Sequence, residues 1–81
     1  CGRRGDALAQ TAAGLDAHCF TADVRDARAM QAAADEFIAR AGVPDIVIGC
    51  AGISVGALTE EAADLPVFQA VMDANVMGLV H

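Results

Sequence analysis

Eighty-one residues with net charge −6 and no lysine make one small acidic unit, which excludes a general nucleic-acid or anionic-membrane surface. A 56% hydrophobic share, much of it alanine and with few aromatics, suits helices packed closely on a sheet and argues against disorder. Three cysteines without a CxxC pair and two isolated histidines exclude a disulfide framework and a zinc site, so no metal is expected and a reducing cytoplasmic setting fits.

The segment Asp6 to Leu15 carries Leu8, Ala12 and Leu15 on one helical face, with Gly14 near its end. His18 to Val24 reads as a strand that ends in an acidic turn at Asp23. Asp26 is placed to cap the next helix, because its carboxylate can accept from free backbone N–H groups. Met30, Ala33, Ala34, Phe37, Ile38 and Ala41 then come at helical spacing, a stripe that calls for a sheet beneath it. Gly42 is placed for a left-handed stop and Pro44 prevents continuation.

Asp45 to Cys50 is a short β-branched run without alternation, as in a strand buried on both faces. Ala51 to Gly56 reads as a loop, and the run Ile46 to Leu58 is too short and glycine-rich to span a bilayer. Asp64 is placed to cap a last helix, with Pro66 in its first turn and Phe68, Val71, Met72, Asn75, Val76 and Leu79 along its apolar stripe. The predicted order is helix, strand, helix, strand, helix, with loops sized for βαβ crossovers, and the expected fold class is α/β. No signal peptide is apparent. A start without methionine and a stop at His81 inside a helix point to a piece of a longer reading frame.

Few side chains offer chemistry. Asn75 stands within an apolar stripe, where an unpaired amide costs about 1–3 kcal/mol, so it needs partners; a satisfied structural asparagine is one account of it. Asp23 and Cys50-Ala51-Gly52 both close strands, at the end where open α/β sheets bind ligands. Read alone, each is better explained as a turn aspartate and an ordinary glycine loop. Arg3 and Arg4 offer planar forks suited to phosphate oxygens, or are a solvated surface pair. Cys50 has no neighbouring base to activate it as a nucleophile, and Ser54 has no visible triad.

Taken together, Asp23-Val24, Pro44 to Ile48, Cys50-Ala51-Gly52-Ile53-Ser54 and Asp73 to Gly78 resemble, in order and spacing, the classical short-chain dehydrogenase/reductases. The resemblance covers essentially the whole chain. It implies a partial Rossmann-type doubly wound parallel sheet, with residues 1–81 forming part of an NAD(P)-binding domain that lacks its first strand and glycine-rich loop. It implies that Asp23 bonds the adenine amino group and Val24 flanks the ring. Cys50, Ala51 and Gly52 then pass the adenosine ribose, and Val76 neighbours the nicotinamide ribose. Asn75 matches the catalytic asparagine that holds a water in a proton relay.

Arg3, with Arg4 beside it, resembles the basic residues that pair with a 2′-phosphate; an acidic residue is absent at Gly2, so NADP(H) is expected over NAD(H). The departures are Gly49-Cys50 where the family has two asparagines, and the absence of any tyrosine or lysine. The Tyr-x-x-x-Lys proton-transfer pair is therefore not in this chain. The implied parent is a homo-oligomeric oxidoreductase passing a hydride between NADP(H) and an alcohol or carbonyl substrate, and this chain alone is expected to be inactive and poorly stable. A non-catalytic nucleotide-binding or regulatory protein on the same scaffold is the alternative.

Overall fold

The computed structural model describes all 81 residues. It consists of helices joined by extended or irregular chain. Helix α1 spans Gly5–Ala12 and α2 spans Ala27–Ala41. A 3₁₀ turn at Ala62–Asp64 leads into α3, Leu65–Met72, which continues through a π-helical segment, Asp73–Met77, into α4, Gly78–Val80.

The expected α/β sheet does not form. No strand is present, and the sole pairing of extended chain is one isolated parallel bridge between Gly2 and Thr21. It is made by Gly2 N donating to the Phe20 carbonyl and Ala22 N to the Gly2 carbonyl, both at 3.1 Å. The run 45–50 has the composition of a buried strand but no strand beside it within the chain. Its main chain has no ladder partner, and Ile46, Val47 and Ile48 are 79%, 80% and 77% exposed. A strand is stabilised by bonds to an adjacent strand and by cover on its faces, and these residues supply neither to one another. The partial Rossmann sheet read from the pattern is thus overturned for this chain.

Local signals fared better where they needed only neighbours in sequence. Asp26 caps α2, its Oδ1 accepting from Arg28 N and Ala29 N at 3.0 Å each. Gly42 ends the helix at φ +83°, a value that favours glycine, although ψ −176° takes it outside the left-handed helical well. Helix α1 stops at Ala12, short of Leu15, and Gly14 turns the chain at φ +78°. Asp64 does not cap α3: its Oδ2 instead accepts from Leu58 N at 2.8 Å, tying the preceding loop to the helix start.

Burial is slight. Ala22 and Ala74 are the two buried residues, and the half-buried Val24 packs against Gly78. Phe20 meets Phe37 edge to face, with centroids 6.4 Å apart, which ties the 18–24 segment to α2. The Cα radius of gyration is 15.2 Å, against about 12 Å for a compact domain of this length.

Candidate functional site

Two clusters emerge where residues 20–24, the loop at 52–53 and the π-helical segment converge. The first centres on Asn75. Its Oδ1 accepts from Ile53 N at 2.8 Å and its Nδ2 donates to the Ile53 carbonyl at 2.9 Å. This reciprocal pair stitches the loop after Cys50 to the helix 22 residues later. Gly52 makes the approach possible, because a Cβ there would sit 3.2 Å from Asn75 Oδ1. Asn75 thus has the partners its position demanded, yet it remains exposed; the residue buried in this segment is Ala74. The stripe has no sheet to cover it: Phe68, ahead of the π-helical segment, and Val76, within it, are 49% and 45% exposed.

The second cluster centres on Asp23. Arg25 grips its carboxylate: Nε donates to Oδ1 at 3.0 Å and to Oδ2 at 3.2 Å, and Nη2 donates to Oδ2 at 2.6 Å. Arg25 N also donates to Oδ1 at 3.0 Å, and Asp26 N donates to the Asp23 carbonyl at 2.9 Å, closing the turn. The side-chain and main-chain bonds from Arg25 hold the Asp23 carboxyl well below the usual carboxylate range, and the Arg3 charge adds to this. The Arg25 guanidinium is raised in turn, chiefly by Asp23 and further by Asp73.

The two clusters meet through Val24. A Cβ on Gly78 would lie 2.7 Å from Val24 Cγ2, so the start of α4 crosses the 20–24 segment at a glycine. The Val24 carbonyl accepts from His81 Nδ1 at 2.9 Å. Arg3 and Arg4 stay exposed and, with Gly2, Ala7, Leu8 and Thr11, line an open groove beside α1. Cys50 and Ala51 are also exposed, Cys50 as a free thiol. The structure therefore brings Val24 to the end of the helix that carries Asn75, with Asp23 beside it in the turn, brings Gly52 to Asn75 itself, and makes no such contact for Cys50, Ala51 or Arg4.

Arg25 and the contacts of His81 escaped the sequence reading, and Ile53 and Gly78 entered it as motif residues with no site role. An arginine two residues after a turn aspartate was the available signal for the first. The others depend on contacts between distant segments. No group of three or more His, Cys, Asp or Glu side chains is placed to hold a metal ion. No helix is long and apolar enough to cross a membrane.

The family model described as short chain dehydrogenase matches residues 1–81. A curated relative, the 2-dehydro-3-deoxy-L-rhamnonate dehydrogenase (NAD(+)) of Sphingomonas sp. (strain SKA58), is 41% identical over 78 residues. That match takes in 95% of this chain and 31% of the relative, so the chain spans about a third of the relative's length. No solved structure matches significantly. With the match running from end to end, this chain belongs to the short chain dehydrogenase family.

Proposed function

We propose that these 81 residues are part of the nucleotide-binding domain of an NAD(P)-dependent oxidoreductase whose remaining machinery lies outside them. The observation that carries the reading is the Asn75–Ile53 pair, which holds a polar side chain of the helix against the Gly52 loop in a family member.

The residues present fit the adenosine end of a dinucleotide. Asp23 offers an acceptor suited to an exocyclic amino group, Val24 an apolar neighbour, and Gly52 a main chain that lacks a Cβ. Arg3 and Arg4 give phosphate-matching donors at the rim of the open groove. The bound dinucleotide supplies the hydride chemistry. The chain's own part is to hold that group and to position one step of proton transfer. Asn75 uses one of two Oδ1 lone pairs and one of two Nδ2 hydrogens on Ile53, which leaves one of each to hold a water for a tyrosine beyond this chain.

The phosphate at the 2′ position is a separate matter. Arg3 favours it, whereas the relative's name carries NAD(+), so the reading commits to a nicotinamide dinucleotide and rests any NADP(H) preference on Arg3 alone. The substrate is an alcohol or carbonyl compound, and the relative's sugar-acid substrate is a reasonable first compound to assay.

The test is Asn75→Ala in the intact enzyme. It is expected to lower kcat by about a hundredfold or more, the scale of positioned acid–base help, while the dinucleotide Kd stays within about threefold. A variant turning over at the parent rate would remove Asn75 from the proton relay, and an intact protein that neither binds a nicotinamide dinucleotide nor turns it over would sink the reading.

A further inference from the structure

Asp23 does not stand free in the turn: both of its carboxylate oxygens are held by one guanidinium. Arg25 approaches with Nε and Nη2 in a fork, at 3.0, 3.2 and 2.6 Å, while its main-chain N also donates to Oδ1. The pair is partly exposed, with side chains 30% and 43% accessible for Asp23 and Arg25, so an incoming group can still reach the carboxylate. An ionised carboxylate has about four lone-pair sites, and the contacts to Arg25 share donors, so acceptor capacity remains. Arg25 also feels Asp73, at the head of the π-helical segment, and Arg3 lies near enough to act on Asp23 by its charge. The carboxylate is thus held in one orientation by a planar fork that a lysine cannot reproduce.

We propose that Arg25 is a positioning residue, whose grip on Asp23 makes that carboxylate a selective acceptor for the 6-amino group of an adenine nucleotide. The inference rests on the reading of Asp23 as the adenine contact. Its chemical content is discrimination. A fixed, ionised carboxylate only accepts, so it favours a 6-amino donor and disfavours the 6-oxo acceptor of a hypoxanthine base. Without Arg25 the carboxylate stays ionised but swings among rotamers, and an acceptor that is no longer fixed against the 6-position discriminates less between an amino donor and an oxo acceptor.

The experiment measures Kd by calorimetry for NADH and for reduced nicotinamide hypoxanthine dinucleotide, in the intact enzyme and its R25A, R25K and D23N variants. Arg25→Ala is expected to shrink the preference for NADH over the hypoxanthine analogue by about three- to fivefold, the scale of an exposed ion pair. Arg25→Lys is expected to fall between, since it keeps the charge but loses the fork. Asp23→Asn is expected to abolish the preference, because an amide both accepts and donates. If R25A and R25K weaken both nucleotides equally while D23N abolishes the preference, Arg25 is a structural residue: the inference fails and the Asp23 reading stands. If D23N leaves the preference intact, Asp23 is not the adenine contact and both fall together.

Discussion

At the scale of single residues, the informative positions were those whose chemistry conflicted with their surroundings. An asparagine among apolar neighbours had to find partners, and Asn75 finds both on the main chain of Ile53. That its partners belong to the loop after Cys50 was not legible, because nothing in a sequence sets the separation of residues 53 and 75. Arg25 was missed for the opposite reason: a charged residue in an acidic chain raises no conflict until the Asp23 carboxylate is seen in its fork. Arg3 remains a reading from position alone. If it meets a 2′-phosphate, Arg3→Ala in the intact enzyme lowers NADPH affinity about tenfold or more and leaves NADH binding unchanged. Equal effects on the two nucleotides would remove the basis for any NADP(H) preference.

At the scale of elements, the reading held where a signal acts within a few residues. The Asp26 cap and the Gly42 stop of α2 are such signals, since the donors and acceptors involved are three or four positions away. It failed for the strands, whose hydrogen bonds must come from elsewhere; the last helix forms from Leu65 with Pro66 in its first turn, but without an Asp64 side-chain cap and with a π-helical turn at Asp73–Met77. The crossing of α4 over Val24 gives this scale its prediction. Alanine at position 78 gains roughly 1 kcal/mol of helix propensity. It also forces a methyl to 2.7 Å from a β-branched side chain and 3.4 Å from the Val24 carbonyl. Overpacking of that kind costs about 1–3 kcal/mol, so Gly78→Ala should lower the Tm of the intact enzyme despite the better helix former. Gly49→Ala, whose Cβ would meet the movable end of Leu79, should lower it less.

At the scale of the whole molecule, the chain is open and thinly cored. Its accessible surface is 6269 Å², where a compact monomer of its size exposes about 4500 Å². Apolar side chains from Val43 to Ile48 and from Leu58 to Val80 lie on that surface. Such a chain in isolation should melt without a cooperative transition, bind a hydrophobic dye in buffer, and show no NAD(P)H-linked turnover. A sharp calorimetric peak, or measurable turnover by the purified 81 residues, would contradict this.

Family and local helix signals were therefore readable from residue order, because motif spacing and capping are properties of short stretches. The α/β fold class read from the same order is overturned, because a β-branched run states only a requirement, neighbours on both edges and cover on both faces. Whether those neighbours are present is a tertiary fact, and within these residues the run at 45–50 has none. The convergence of Asp23, Val24, Gly52 and Asn75 was likewise decided only by the path of the chain, through a glycine at 78 that lets two segments touch and an amide that bonds a distant main chain.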